Sequence, residues 1–338
     1  MSAERRPQSR QPTPPRSKPR LQVSFIVCTR DRVGVLEPCI ESIRAACLAH
    51  PSFAAELVVV DNGSRDGTAQ YLARIVATSD IALTAISEPR PGLAAARNAG
   101  LARARGRVLV FVDDDCRLDR DYLVDLERHY ASGDKWLIRG GRVEIGDARD
   151  LPFTIKRCDE RERLTPSVHP GGFVLGCNMT MHSDVAARIG PFDERLGAGG
   201  ALRSAEDTDY LVRAMLAGMA VEYVPDMTIF HHHGRRDRKA IDQLHRDYHF
   251  GNGALCLKHA RRAPWLLRHF YWAARSALRE AFGGPKFDQD LRLSHWPIVL
   301  MNLAGAAKFT LLVLARRPPR QVRPVQETTE ARAEAGAR

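Results

Sequence analysis

Arg107-Val-Leu-Val-Phe-Val-Asp-Asp-Asp115 decides how this chain is read. The apolar run Val108 to Val112 has the length of a buried strand, and it ends abruptly in Asp113, Asp114 and Asp115. Side chains alternate along an extended backbone, so Asp113 and Asp115 project to one side. Two oxygen ligands converging at the exit of a buried strand suit a hard divalent cation such as Mg²⁺ or Mn²⁺. In open α/β sheets that carboxyl edge is also where ligands bind. The same residues can make a polar turn whose aspartates cap the next helix, and a helical pattern does begin at Asp121-Tyr-Leu123. Taken alone, the triplet leaves both readings open.

Upstream, the pattern is regular. Val23 to Cys28 reads as a short apolar strand, with Thr29-Arg-Asp-Arg32 as the loop that follows. Val35 to Leu48 has helical spacing, with Leu36, Ile40, Ile43 and Cys47 on one face. Glu56 to Asp61 is a second strand, stopped by the turn residues Asn62-Gly63-Ser64. Thr68 to Ala77 is a helix, Ile81 to Ser87 a third strand, and Leu93 to Ala104 an Ala-rich helix leading into Val108. Strands alternating with helices predict parallel pairing through crossovers. Their lack of polar alternation predicts cover on both faces.

Downstream the order loosens. A helix is expected over Tyr122 to Tyr130 and a strand over Lys135 to Ile145, followed by a long polar loop. Gly171 to Met179 is glycine-rich, Asp184 to Ile189 and Thr208 to Ala217 are helical, and Val221 to Val224 is extended before His231-His-His233. Asp237 to Phe282 is helix-rich, basic and aromatic, with Trp265, Phe270, Tyr271 and Trp272. Pro297 to Ala315 is almost wholly apolar, and its length is borderline for a bilayer span. Lys308 inside the run leaves a buried core helix and a membrane-contacting one equally open.

The 338 residues can hold one large α/β domain plus an appendage. Seven cysteines, scattered and without a C-x-x-C pair, argue against a zinc site or disulfide framework and for a reducing compartment. Residues 1–20 are Arg-, Pro- and Ser-rich with no apolar core, so a disordered basic arm is expected and no secretory signal. The net charge of +11 lies largely in that arm and beyond residue 234. Such a surface suits anionic lipid or a phosphorylated small molecule. No zinc finger, RNA-binding aromatic signature or helix-turn-helix accompanies it, so no specific nucleic acid is expected.

Several segments resemble, in order, family 2 glycosyltransferases of the GT-A fold. Val23 to Arg32 is similar to their first strand and nucleotide loop, and Val58-Val-Val-Asp-Asn-Gly-Ser-Arg-Asp-Gly-Thr68 to their second-strand motif. Arg90-Pro-Gly-Leu-Ala-Ala-Ala-Arg-Asn-Ala-Gly100 resembles the next helix, and Phe111 to Asp115 the D-x-D motif. Gly190-Pro-Phe-Asp-Glu194 and Ala205-Glu-Asp-Thr-Asp-Tyr210 resemble the acceptor-side motifs. The resemblance implies a Rossmann-like α/β domain over 21–235, with a mostly parallel central sheet flanked by helices. Its nucleotide-binding half would be 21–115 and its acceptor half 116–235. A helical, membrane-associated extension over 236–315 and a disordered tail over 316–338 complete the expected organisation.

The implied activity is inverting transfer of a sugar from a nucleotide-diphosphate donor to a hydroxyl acceptor: a glycan, a lipid-linked carrier or a small molecule. By this resemblance Asp207 is the general base, with Glu206 orienting the site or binding acceptor. Asp113 and Asp115 hold Mn²⁺ or Mg²⁺, with His231 ranked before His233 as a further ligand and Asp114 supporting the turn. Thr29, Arg32, Asp61, Gly92, Arg97, Asn98 and Asp113 contact the donor. Relatives often carry Asp-Asp where this chain has Asp61-Asn62, which weakens any choice of nucleotide base. Asn178, Met179, Asp193 and Glu194 match the wall of the sugar and acceptor pocket, and Trp136 lines the cleft or the core. The expected place is the cytoplasm, at the inner face of the cytoplasmic membrane, in polysaccharide, envelope or glycolipid synthesis. A metal-dependent nucleotidyltransferase would also use an Asp cluster, but Thr29 to Arg32 offers no G-x-x-x-x-G-K-[ST] phosphate loop. A non-catalytic basic module for membrane or nucleic acid is the remaining rival. It predicts that Asp115 and Asp207 are dispensable.

Overall fold

A computed structural model describes residues 22–131 and 133–315; the expected basic arm and C-terminal tail lie outside the described residues. The first half follows the expected alternation: β1 (Gln22–Thr29), α1 (Val33–Ala49), β2 (Ala54–Asp61), α2 (Thr68–Thr78), β3 (Ala82–Ser87), α3 (Leu93–Arg103) and β4 (Val108–Asp113). β1 pairs in parallel with β2 and β4, and β2 with β3. The apolar runs are continuous because both faces are covered. Phe25, Val27, Val110 and Val112 pack with Leu36, Cys39 and Ile43 of α1, while Ile26, Leu109 and Phe111 face the opposite side with Ala94 of α3. The small residues of α3 let it lie close to the sheet. A Cβ at Gly100 would stand 2.4 Å from Ile26 Cγ2.

The second half comprises β5 (Cys116–Leu118), α4 (Tyr122–Tyr130), β6 (Leu137–Gly140), β7 (Val143–Ile145), β8 (Glu162–Arg163), β9 (Asn178–His182), α5 (Ser183–Ile189), α6 (Glu206–Leu216), β10 (Ala220–Tyr223) and β11 (Ile229–His231). The main sheet runs β3-β2-β1-β4-β9-β6-β10-β8, and β5-β11-β7 form a second sheet beside it. The run of parallel pairs is interrupted after β4, because β9 lies antiparallel to both β4 and β6; β6 and β10 then pair in parallel again. Asn178 and Thr180 interrupt the apolar pattern of β9, yet both are buried, bonded by the hydroxyls of Tyr122 and Tyr130 at 2.8 Å each. The single strand expected over 135–145 divides at Gly140-Gly141, where a Cβ on Gly141 would meet the Met227 carbonyl at 2.2 Å. β6 stays in the main sheet; β7 joins the small one.

The extension is three helices: α7 (Arg238–His259), α8 (Leu266–Ala281) and α9 (His295–Leu314). α7 and α9 meet backbone to backbone at glycines. A Cβ on Gly253 would lie 1.9 Å from the Asn302 carbonyl, and one on Gly305 1.8 Å from that of Phe250. α9 is not a buried core helix. Its apolar window has mean hydropathy 1.8 and is only 17% buried, leaving Leu300, Leu303, Leu311, Val313 and Leu314 exposed.

Candidate active site

A cavity of about 1510 Å³ opens where β1 and β4 end. Asp113 closes β4, while Asp114 and Asp115 form the turn into β5, so the carboxylates do not simply alternate as one strand would have them. Asp113 is partly open to the cavity and lies 3.3 Å from Arg97 Nη2. Asp114 is buried; it accepts from Thr29 Oγ1 at 2.7 Å and Arg32 Nη1 at 2.8 Å. Asp115 accepts from Arg32 Nη2 at 2.8 Å and faces His231 Nε2 at 3.2 Å. One guanidinium therefore clamps two adjacent carboxylates. Thr29 and Arg32 do line the cavity, but their polar groups are engaged in fixing this turn.

The two buried carboxylates behave oppositely. Burial pushes Asp114 up to about 7, against the pull of Arg32 and the Thr29 hydrogen bond. Burial works in the same sense on Asp115, but the His231 hydrogen bond and the charges of His231 and Arg32 hold it below the usual carboxylate range. Burial alone would lower His231; its bond to Asp115 outweighs that and lifts it to about 9.

His231 arrives from β11, whose antiparallel register with β5 sets it opposite Cys116, next to Asp115. His233 goes elsewhere. Its Nδ1 accepts from the Arg235 amide at 3.0 Å and stands 3.8 Å from Asp150 Oδ2, and the side chain does not line the cavity. The chain turns away after β11 instead of continuing the alternation. Of the expected ligands, Asp113, Asp115 and His231 share the cavity wall.

Two donor-side expectations are also relocated. Asp61 accepts from the Ser64 amide at 2.9 Å and shapes its own turn; the cavity is lined by Asn62 instead. The Asn62 side chain donates to the carbonyls of Glu88 at 2.9 Å and Arg90 at 2.7 Å, and accepts from the Gly92 amide at 2.9 Å. It staples the loop that presents Gly92, whose φ of +125° suits glycine, to the cavity. Asn98 is buried against Phe192, donating to its carbonyl at 3.0 Å and accepting from its amide at 2.7 Å, and is off the cavity wall.

The opposite wall is the first turn of α6. Glu206 accepts from Arg97 Nη1 at 2.8 Å, so Arg97, itself buried, joins Asp113 of one half to Glu206 of the other. Burial and the neighbouring Asp207 charge push the Glu206 carboxyl up, against Arg97. Asp207 lines the cavity and makes no ion pair among the described residues. Its Oδ2 accepts from the Gly176 amide at 3.1 Å and its Oδ1 from the Thr208 amide at 2.6 Å.

Comparison with known proteins gives this geometry a family. The model for "Glycosyl transferase family 2" matches residues 24–189. Residues 24–189 are thus similar to a family 2 glycosyltransferase domain. Glycosyltransferase AglE of Haloferax volcanii is 27% identical over 212 residues, 61% of this chain and 65% of that protein. Dodecaprenyl-phosphate galacturonate synthase of Rhizobium johnstonii is 32% identical over 100 residues, 29% of each chain. The matches thus span less than two thirds of either relative. Two solved structures share the fold. S. aureus TarS 1-349 has a TM-score of 0.55 at 17% identity, covering 85% of this chain and 81% of that one. The mannosyltransferase PcManGT from Pyrobaculum calidifontis, in complex with GDP-Man and Mn²⁺, has 0.56 at 20% identity, covering 86% and 87%. The GT-A architecture with helices behind it is shown by these likenesses.

Against that family pattern, several acceptor-side expectations move. Asn178 and Met179 lie in the core of β9. Asp193 pairs with Arg195 and Lys258, and Glu194 with Arg90, away from the cavity wall. Trp136 is 44% exposed on the outer surface, neither core nor cleft. Sequence reasoning missed the far end of the cavity, where Phe270, Trp272 and Phe287 meet His245, His249 and His169. The His245-x-x-x-His249 spacing on a helix was the available signal; the two Nε2 atoms stand 3.2 Å apart.

Proposed function

We propose that this chain is an inverting, metal-dependent glycosyltransferase that moves a sugar from a nucleotide-diphosphate donor to a hydroxyl acceptor in polysaccharide or glycolipid assembly. The observation that carries the reading is one cavity with Asp113, Asp115 and His231 on one wall and Asp207 on the other, in a chain whose residues 24–189 match the family 2 model. Two carboxylates and an imidazole make a donor set that fits Mn²⁺ or Mg²⁺. Bound by these residues, the cation would supply Lewis-acid neutralisation of the diphosphate leaving group.

The rest falls to the chain itself. Asp207 accepts the acceptor hydroxyl proton as that oxygen forms its bond to the anomeric carbon and the bond to the diphosphate breaks. One in-line displacement inverts the centre. Arg97 pairs directly with Glu206, whereas Asp207 makes no ion pair among the described residues. Arg32 fixes Asp114 and Asp115 before the donor arrives, so their orientation costs nothing at binding. The acceptor class follows from the extension. Tyr271, Trp272 and Leu278 on α8, Phe282 just after it and the leucines of α9 are exposed apolar groups, with Arg261, Arg262, Arg268, Arg279 and Lys308 exposed among them. Apolar and basic groups together suit peripheral contact with an anionic membrane. That supports a lipid-linked or membrane-borne acceptor, met at the cytoplasmic membrane face.

Incubation with UDP-, dTDP- and GDP-sugars, with Mn²⁺ or Mg²⁺ and then with EDTA, tests the reading. Metal-dependent release of nucleotide diphosphate from one donor class is expected. Turnover indifferent to EDTA would remove the metal role.

A further inference from the structure

Cys116, Cys177 and His231 come from three separate elements, yet one ligand atom from each lies within 4.8 Å of the other two, and all three residues are buried. The β5–β11 register sets Cys116 opposite His231, and Cys177, just before β9, lines the cavity wall. A fourth donor stands beside them. Asp115 Oδ1 is 3.2 Å from His231 Nε2 and 3.8 Å from Cys116 Sγ. Bonds of roughly 2.3 Å to sulfur and 2.0 Å to nitrogen or oxygen, at tetrahedral angles, separate ligand atoms by about 3.3–3.8 Å. Cys116, Cys177 and His231 thus bring two sulfurs and one nitrogen together, with the Asp115 oxygen adjoining the His231 and Cys116 side of the group.

We propose that Cys116, Cys177, His231 and Asp115 form a second cation site, for thiophilic Zn²⁺, which shares His231 and Asp115 with the Mn²⁺ or Mg²⁺ site and excludes it when filled. Ion softness separates the two. Mg²⁺ and Mn²⁺ take oxygen and imidazole and leave the thiols protonated, whereas Zn²⁺ takes thiolate. Binding Zn²⁺ releases the two thiol protons to solvent, and the ion's charge compensates the two thiolates. The consequence is an inhibitory site directly behind the donor site. Only the exclusion of Mn²⁺ rests on the functional reading above; the cage itself does not.

The test uses the full chain, reduced with a non-chelating phosphine. Cd²⁺ serves as the probe, because its thiolate complexes absorb in the ultraviolet. One equivalent should saturate the band, and the C116S/C177S variant should bind at least about tenfold more weakly. C47S and C256S should bind as the parent does, with circular dichroism and melting reporting that each variant is folded. A band that is absent, or undiminished in C116S/C177S, would overturn the cage. Electron paramagnetic resonance then follows bound Mn²⁺, whose release by one equivalent of Zn²⁺ is expected from the parent. Mn²⁺ that stays bound would overturn the sharing. Neither readout needs sugar transfer, so an inactive donor panel would fail the functional reading without touching this one.

Discussion

The halves of the α/β domain on either side of Asp115 reach the same cavity by different means. Before it, Asp113 stands at the end of a strand buried on both faces, held by Val108 to Val112 between two packed layers. After it, His231 sits on a three-residue strand and Asp207 in the first turn of a helix entered through Ala205 at φ +72°. Here position depends on polar partners: Arg97 with Glu206, His231 with Asp115, and Asp209 with Lys258 and His259. Apolar burial is tolerant, because many contacts share the work. A buried ion pair is not, since removing one member strands the other.

The comparison is most sharply tested where chemistry and support separate. Asp207→Asn should lower turnover by about 10²–10⁴-fold while donor binding and folding persist, read by steady-state kinetics and calorimetry. A variant with full turnover would remove Asp207 as base. Arg97→Met should cost about 3–5 kcal/mol in urea unfolding, because two carboxylates lose their shared cation. Adding Glu206→Gln should recover part of that loss; strictly additive effects would mean that the pair does not couple.

The helical extension contrasts with both halves, since much of its apolar surface faces outward. Leu300→Gln with Leu311→Gln should weaken flotation with anionic vesicles about tenfold and leave transfer to a soluble acceptor unchanged. Equal flotation would reject the membrane face. The last contrast concerns acid. Burial lowers His245 and His169 to about 4 and His249 to about 3. Below about pH 6.5 the unfolded chain then binds protons that the folded chain refuses, so stability is full above that pH and falls as pH drops toward 3–4. Melting temperature should decline steadily as pH falls across this window. His245→Gln with His249→Gln should flatten the decline.

Legibility in the sequence follows the same division. β1 to β4 and the helices between them were readable because continuous apolar runs announce strands covered on both faces. Asp113, Asp115, His231, Arg97 and Asp207 were nameable from motif order, and the fold brings them to one cavity. Register was not readable. β9 hid because its buried Asn178 and Thr180 look like surface residues until Tyr122 and Tyr130 are placed beside them. Alternation suggested His233, but the chain leaves the strand at His231. Asp61 and Asn62 exchanged roles because turn hydrogen bonds decide which side chain faces the cavity. Cys116 and Cys177, far apart in sequence, gave no spacing signal for the cluster they make with His231.

Arg97 has a consequence for recombination. A hybrid joined at residue 115, taking the segment before it from one parent and the segment after it from another, would cut between a guanidinium and the carboxylate that neutralises it. Such hybrids should fold only when the incoming halves restore an arginine facing Glu206 across the seam. Swapping donor preference among relatives is therefore a matter of matching charges at one buried crossing, as well as of grafting a nucleotide pocket.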